Sequence, residues 1–332
     1  MRQADERQRC SYVVVFEGTD GAGTLRDFAD SLTSMSAAGC ETIVLDCSEG
    51  ETFEAHRRVL RWVARHVAIR PEHLSPSGSV DPIRAAALVS CCEKVIVAGA
   101  DVRYTDESIA RVCELLDRHE VVEPQDYLDP LPWWSGIEAG RILVNRALDP
   151  QPDHGTTFGF RRSVVNGLPS LGAGDVTGDQ IRRLESAGVE VYAPAQVFVK
   201  REPSTLADWV AERPAQAGHD FALPVRSAFF FSLLPLLAAL AFFGGFQLAG
   251  GFALAIALGS VAFAIRGRFE ASRYFPLRAT LFAPLWVFER SVSVWWALSL
   301  RLRGAGAGEP GEATAAAEHR GRGVAKRSGE AG

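Results

Sequence analysis

Several features that would assign this chain to a common class of protein are missing from its sequence. The start, MRQADERQRC, is charged and no apolar segment follows it, so we expect no cleaved secretory signal. The six cysteines show no disulfide-rich or zinc-ligand spacing, and the adjacent Cys91 and Cys92 favour buried thiols in a helix. A net charge of −5 gives no indication of nucleic-acid binding. No G-x-G-x-x-G follows the first predicted strand, which disfavours a soluble dinucleotide-dependent enzyme.

Charge is also absent from Ser227 to Ile265, about forty residues, whereas one helical crossing of a membrane needs about twenty. Near the middle of this run, four glycines can form a tight reversal: Gly244, Gly245, Gly250 and Gly251. A single core helix of a soluble protein is the alternative, but no periodic polar positions would give such a helix a solvent face. The sequence therefore predicts a transmembrane helical hairpin over residues 226–266.

Basic residues flank this apolar run on both sides. Arg226 precedes it, Arg266 and Arg268 follow it, and the loop between the two predicted crossings has no charge. By the positive-inside rule, both ends of the hairpin are expected in the cytoplasm. The sequence therefore predicts a multi-pass membrane protein in which the domain before the hairpin and the C-terminal tail are cytoplasmic.

Residues 275–303 are apolar but contain Arg278 and the pair Glu289-Arg290. A third crossing would bury that pair near the middle of the bilayer, so an amphipathic helix at the membrane interface fits better. Residues 304–332 are rich in Gly, Ala and Glu and end in a basic cluster, which is typical of a disordered tail.

The residues before the hairpin alternate short β-branched runs with helical patterns. The predicted strands are Ser11–Phe16, Glu41–Asp46 and Lys94–Ala98. Helical spacing separates these strands, and Asp81–Cys92, just before the third, is predicted to be a helix. Thr105 is a predicted N-cap of the helix that follows the third. After a tail at residues 1–10, residues 11–225 are therefore predicted to form one α/β domain, a mostly parallel sheet with helices on both faces.

Polar residues follow each of these strands: Glu17 to Asp20 after the first, Asp46 and Ser48 at the end of the second, and Asp101 just after the third. Open α/β sheets bind ligands at the carboxyl ends of their strands, so these residues are candidates for one crevice. The alternative is that Asp, Gly and Ser simply form turns and helix caps there.

The order of these segments resembles the membrane-anchored family 2 glycosyltransferases of the cellulose synthase-like superfamily, which have the GT-A nucleotide-diphospho-sugar transferase fold. The resemblance implies that Asp46, with Ser48, lies on the donor side, where an Asp helps to hold the nucleotide base. The D-x-D signature of the family is represented by VIVAGADVRY, in which Asp101 is the surviving carboxylate and Gly99 replaces the first acidic residue. Asp101 is thereby implied as the ligand of Mg²⁺ or Mn²⁺. Arg103 is a candidate phosphate contact, and an exposed arginine at a helix entry is the alternative and commoner explanation.

The same resemblance implies an acceptor side and a catalytic base. PQDYLDPLPWW resembles the acceptor segment, with Asp126, Trp133 and Trp134 as acceptor contacts, although a proline-rich loop that packs its tryptophans explains this segment equally well. GAGDVTGDQ resembles the segment with the acidic base, which implies Asp179 in that role and Asp175 as the acidic residue just upstream. Helix capping is the alternative role for Asp179.

Two functions of different classes are compatible with these observations. The first is a cell-envelope glycosyltransferase that transfers a sugar from a nucleotide-diphosphate donor to a lipid-linked or glycan acceptor near membrane lipids, with inversion. The Gln-x-x-Arg-Trp motif of processive members is absent, which indicates a single-transfer enzyme. The second is a binding or scaffold protein on a catalytically degenerate glycosyltransferase fold, which Gly99 and the unusual first loop favour.

Overall fold

The computed structural model describes residues 9–16, 25–74, 80–148, 157–166, 168, 178–219 and 224–302. The chain forms two compact units. The first unit comprises residues 1–131 and 149–203, and the second comprises residues 132–148 and 204–332. The loop after the first predicted strand, Glu17 to Asp20, lies outside the described residues.

The first unit contains a large sheet and a small one. The strands, numbered in chain order, are β1 Cys10–Phe16, β2 Cys40–Asp46, β3 Arg65–Ala68, β4 Lys94–Gly99, β5 Val102–Arg103, β6 Val121–Val122, β7 Gln125–Leu128, β8 Thr157–Arg161, β9 Val191–Tyr192 and β10 Phe198–Arg201. The large sheet has the order β3-β2-β1-β4-β8-β6-β9, and the small sheet has the order β5-β10-β7. β3, β2, β1 and β4 are parallel neighbours, whereas β8 runs antiparallel to both β4 and β6. The prediction of an α/β fold with a parallel-rich sheet is confirmed.

Helices cover both faces of the large sheet. In the first unit they are α1 Leu25–Ala37, α2 Gly50–Leu60, α3 Pro82–Val89, α4 Asp106–Leu115, α6 Arg162–Val165 and α7 Gly178–Ser186. Successive side chains of β1 point to opposite faces of the sheet and belong to different hydrophobic cores. Val14 packs with residues of α1 and α4, and Val13 packs with residues of α3 and α7. Because β1 is buried from both sides, its sequence is a continuous apolar run rather than an alternating one.

One predicted helix ends earlier in the structure than the sequence indicates. The helix predicted over residues 81–92 ends at Val89, and Asp81 is its N-cap, whose side chain accepts a hydrogen bond from the Arg84 backbone. Cys91 and Cys92 therefore lie in the loop before β4 and not in a helix. Their backbone amides donate to Glu41 and Ser11 side chains, which accounts for the early end of the helix.

The second unit is helical: α5 Trp133–Leu148, α8 Leu206–His219, α9 Pro224–Arg268, α10 Leu277–Thr280 and α11 Ala283–Leu302. The segment predicted as one interfacial helix over residues 275–303 consists of α10 and α11. α5 and α11 touch closely, because a Cβ atom at Gly140 would lie 2.7 Å from the backbone nitrogen of Ala283. Glycine at this position permits the close contact between the two helices.

The long helix α9 is the one described segment that is long and apolar enough to cross a membrane, a weak indication when it stands alone. Gly245 interrupts it with a non-helical backbone, φ 82° and ψ 163°. Positive φ at this value is open to glycine but costly for other residues, so the sequence places the break here. Large apolar side chains beside the break are exposed, including Phe242, Phe243 and Phe246.

Candidate functional site

The candidate site lies where the order of the parallel strands reverses. The chain passes from β1 to β2 and then β3 on one side, and β4 returns to the other side of β1. Phe16 at the end of β1 pairs with Asp46, and Val15 pairs with Gly99, so the ends of β2 and β4 flank the end of β1. Two strand spacings of about 4.8 Å separate those ends. Such a switch point is where open α/β sheets form ligand crevices.

We use the name strand-end site for Asp46, Ser48, Asp101 and Arg103. Asp46 is fully buried. One of its carboxylate oxygens accepts the Ser48 backbone amide at 2.8 Å, and the other lies 2.9 Å from His56 Nδ1 and 2.8 Å from His66 Nε2. The Ser48 hydroxyl lies 3.5 Å from His56 Nδ1. Asp46 therefore fixes the start of the loop after β2 through three contacts.

These contacts determine the charge of Asp46. Burial raises the pKa of its carboxyl group, but the hydrogen bonds from His66, Ser48 and His56 outweigh burial and lower that pKa to about 2. The carboxylate is thus ionised at neutral pH although water does not reach it. The hydrogen bonds that it accepts offset the cost of burying the charged carboxylate.

The two histidines are site residues that the sequence analysis missed. His56 lies on α2 and packs edge-on against Phe16, while His66 lies on β3 and stacks on Phe53. β3 is a short, partly exposed strand without a β-branched run, so no periodic signal marks it in the sequence. The sequence offers a signal for His56 alone, because it follows the strand-end residue Asp46 by ten residues.

Asp101 is paired with an arginine. Its carboxylate lies 2.6 Å from Arg201 Nε, and its backbone carbonyl accepts the Glu202 amide at 2.8 Å. Arg103 donates from Nη2 to Glu202 at 2.9 Å and from Nη1 to the carbonyl oxygens of Ala100 and Val102. The two ion pairs cross between β5 and β10, which are antiparallel neighbours.

This donor set does not fit a divalent metal ion. Among the residues that the structure describes, no group of three or more His, Cys, Asp or Glu side chains could hold one. Asp101 is the carboxylate implied as the metal ligand, and the guanidinium of Arg201 is already bound to it. Asp46 contacts His56 and His66 directly, which leaves no space for an ion between the carboxylate and either ring.

The predicted acceptor residues fall in both units. Asp126 lies on β7 in the first unit and pairs in register with Val199 of β10. Trp133 and Trp134 begin α5 in the second unit, with their rings edge-on at 5.9 Å. Trp134 donates from its indole nitrogen to the Ser204 carbonyl at 3.1 Å, whereas Trp133 is 56% exposed and is the ring available to a ligand or to lipid.

The predicted catalytic carboxylates are described only in part. Asp179 lies in the first turn of α7, as the sequence indicates. Asp175 lies outside the described residues. The neighbouring Gln180 is buried, so α7 is anchored at its start.

The second unit contains a buried charge cluster that the sequence analysis did not identify. Glu138 of α5 lies 2.6 Å from Arg141 and 3.5 Å from Arg213 of α8. Burial raises the pKa of Glu138, but Arg141 and Arg213 outweigh it and lower that pKa to about 2. This ion cluster links α5 to α8.

No protein-family model and no curated protein matches this chain. Among solved structures, it is similar to the mannosyltransferase PcManGT from Pyrobaculum calidifontis in complex with GDP-Man and Mn²⁺, with 17% identity, a TM-score of 0.47 and coverage of 89% of each chain. It is also similar to glucosyl-3-phosphoglycerate synthase from Mycobacterium tuberculosis in complex with Mn²⁺, UDP and glucosyl-3-phosphoglycerate, with 16% identity, a TM-score of 0.41 and coverage of 63% of this chain and 78% of that chain. These neighbours are glycosyltransferases that use nucleotide sugars. Identities and TM-scores this low establish nothing about the activity of this chain.

Proposed function

We propose that this protein is a membrane-anchored glycosyltransferase that transfers one sugar from a nucleotide-diphosphate donor to a lipid-linked or membrane-proximal glycan acceptor. The observation that carries the proposal is the position of Asp46 and Asp101 on either side of the end of β1, at the switch point of a parallel sheet. Polar side chains thus follow two strand ends at the place where open α/β sheets bind ligands.

The donor lies across the strand-end site in this proposal. Asp46 acts as a positioning residue, because it is buried and holds Ser48 by a hydrogen bond to its amide. Ser48 and the loop after β2 then face the nucleoside, and the residues after β4 face the diphosphate. Trp133 is proposed to stack on the acceptor, with Trp134 holding the start of α5 in place and Asp126 as a further acceptor contact.

The chemistry is one displacement at the anomeric carbon. The acceptor oxygen forms a bond to that carbon, and the bond to the diphosphate oxygen breaks with its electron pair staying on the diphosphate. Asp179 takes the proton of the acceptor hydroxyl, with Asp175 as the other candidate. Attack from the face opposite the leaving group inverts the configuration.

The membrane anchor is proposed to be the hairpin formed by α9. A straight helix would separate Phe230 from Gly267 by about 55 Å at 1.5 Å per residue. Yet Phe230 packs on Trp286 of α11 with ring centroids 5.5 Å apart, and Gly267 contacts Leu143 of α5. Because α5 and α11 touch each other nearby, the path from Phe230 to Gly267 through these contacts is about 30 Å long at most. The break at Gly245 supports a reversal that brings the two halves together.

This hairpin gives the protein two crossings. Each half contains at least about twenty residues, enough to span the hydrocarbon core. The basic residues at both ends favour a cytoplasmic location for the domain and the tail. Membrane lipids are then direct partners of the exposed apolar faces of α9.

One observation favours a different function, that of a catalytically degenerate scaffold. Both strand-end carboxylates have internal partners: Asp46 has two histidines and Asp101 has Arg201. A protein that no longer binds donor could retain such pairs for stability alone. The two functions differ in whether the strand ends bind nucleotide.

The experiment that separates them uses membranes that contain the protein. They are incubated with a panel of nucleotide-diphosphate sugars, and both donor hydrolysis and transfer to extracted lipid are measured. We expect one donor to be consumed above the level of membranes lacking the protein. Loss of this activity in an Asp179→Asn variant with an unchanged melting temperature would tie it to the chain itself. No consumption of any donor, with folded protein present, would favour the scaffold.

A further inference from the structure

The pair formed by Asp101 and Arg201 lies where the family resemblance implies a divalent metal ion. Arg201 is the last residue of β10, and its partner stands just after β4 at the switch point. The Asp101 side chain is 37% exposed and that of Arg201 is 30% exposed, so a ligand in the crevice can reach both groups. This distinguishes the pair from Asp46, which is fully buried.

The geometry around Arg201 is fixed from two sides. β10 pairs with β5 so that Arg201 lies opposite Val102, and the Glu202 amide binds the Asp101 carbonyl. The short Nε contact with Asp101 orients a planar guanidinium that carries five N–H donors in all. A guanidinium held in this way is suited to the paired oxygens of a phosphate group.

Charge balance favours arginine over a metal ion here. A divalent ion held by two carboxylates forms a site with no net charge, and so does one guanidinium held by one carboxylate. At the end of β4, Gly99 stands where a second carboxylate would be needed, and Asp101 is the one acidic side chain in the Gly99–Arg103 turn. A monovalent cation with one counter-ion therefore matches the residues that this strand end provides.

Arg103 is not equivalent to Arg201. Its side chain is only 13% exposed, and its guanidinium binds Glu202 and two backbone carbonyl oxygens. These contacts explain how the turn after β4 keeps its shape. They leave Arg201 as the better placed cation for a ligand at the strand ends.

We propose that Arg201, oriented by Asp101, binds the diphosphate of the donor in place of a divalent metal ion, so that donor binding does not depend on Mg²⁺ or Mn²⁺. The inference rests on the proposed function, since it assigns a role within the same strand-end site. Arg201 contacts the ligand directly, whereas Asp101 is a positioning residue. The prediction that Asp101 is a metal ligand is replaced by this role in the proposal.

The test measures the binding of UDP and GDP to the detergent-purified full chain by calorimetry, in EDTA and in excess Mg²⁺ or Mn²⁺. We expect the affinity to agree within about twofold between the two conditions. Replacing an arginine that contacts phosphate directly should cost at least about tenfold, so Arg201→Gln should lose that much affinity in EDTA. Arg201→Lys should recover only part of it, because an ammonium lacks the planar fork.

Two further variants keep the result interpretable. Lys200→Gln removes the adjacent cation of the same strand, which pairs with Asp129 at 3.0 Å, and should change affinity by no more than about twofold because exposed ion pairs contribute little. Asp101→Asn removes the group that orients Arg201 but leaves the cation in place, so it should lower affinity by less than Arg201→Gln does and equally in EDTA and in Mg²⁺, whereas removing a true metal ligand would abolish a metal-dependent affinity. Melting temperatures identify any variant that fails to fold.

The outcomes distinguish this inference from the proposed function. Binding that appears only with Mg²⁺ or Mn²⁺ and disappears in Asp101→Asn would overturn the role of Arg201 and leave the glycosyltransferase proposal standing. Metal-independent binding that Arg201→Gln does not weaken would also overturn it. Folded wild-type protein that binds no nucleoside diphosphate in either condition would overturn both proposals.

Discussion

His66 Nε2 lies 2.8 Å from a carboxylate oxygen of Asp46, although the two residues come from different strands and are both buried from solvent. The same oxygen is 2.9 Å from His56. This arrangement converts a strand-end aspartate into the centre of a small polar network. Its consequence is that Asp46 contributes to stability as well as to the shape of the candidate site.

We expect Asp46→Asn to lower the free energy of unfolding at pH 7 by about 2 kcal/mol, because a neutral amide binds the histidines and Ser48 less well than a carboxylate does. The pKa of Asp46 is lowered from 3.8 to about 2, so its contribution is complete above pH 4 and is lost as the pH falls toward 2. The difference between variant and wild type should therefore shrink over that range. Thermal unfolding of detergent-purified protein at several pH values measures it.

A control for this prediction lies on the same helix as His56. Glu54→Gln removes an exposed pair with Arg57 and should change stability by less than about 1 kcal/mol at every pH. If the effect of Asp46→Asn is as small as this, or does not change between pH 4 and pH 2, the network does not stabilise the ionised form.

The sequence was sufficient for the parts of the fold that depend on local patterns. β1 and β2 each contain a run of apolar residues, and α4 begins at the predicted cap, Thr105, whose side chain accepts the Ser108 amide. Asp46 and Asp101 were found because each follows such a run. Local pattern and tertiary structure agree at these positions.

The partners of those residues were not predictable from the sequence. Arg201 reaches Asp101 across a hundred residues of chain, through a two-strand pairing that involves only a few residues. His66 lies on a four-residue strand with no apolar alternation. Contacts of this kind depend on strand order and register, which a single sequence does not encode in any local period.

The buried pair between Glu138 and Arg213 supports a prediction about the second unit. We expect Glu138→Gln to lower the free energy of unfolding by about 3–5 kcal/mol, because it leaves Arg213, which is only 3% exposed, without its carboxylate. Glu114→Gln, which breaks an exposed pair with Arg111, is the matched control and should cost less than about 1 kcal/mol. Similar small shifts in melting temperature for both variants would contradict a stabilising role for the cluster.

A second variant tests the cause of that loss. Replacing both partners, as Glu138→Leu with Arg213→Leu, removes the two buried charges together and should be less destabilising than Glu138→Gln alone. A double variant that is the less stable of the two would indicate that packing, rather than the unpaired charge, accounts for the effect.

The proposed hairpin predicts that Gln247, beside the break at Gly245, and Ser272, after α9, face opposite sides of the membrane. Single cysteine substitutions at these positions are labelled in intact cells and in inside-out vesicles with a membrane-impermeant maleimide, above the background of the native thiols. We expect Gln247→Cys to react from outside and Ser272→Cys from the cytoplasmic side. Labelling of both from the same side would exclude two full crossings.

Asp179, in the first turn of α7, is the proposed general base, and its alternative role is to stabilise the start of that helix. The two roles differ in magnitude: a general base contributes about a hundred- to ten-thousand-fold to rate, whereas a lost cap costs about 1 kcal/mol of stability. Asp179→Asn keeps the shape and can still accept backbone hydrogen bonds, so we expect an unchanged melting temperature and unchanged donor binding, with transfer reduced at least about a hundredfold.

Asp175→Asn serves as the comparison, measured with the same donor and acceptor. Near-normal turnover in Asp179→Asn together with loss of turnover in Asp175→Asn would move the base to Asp175. Normal turnover in both variants would mean that neither carboxylate takes the proton.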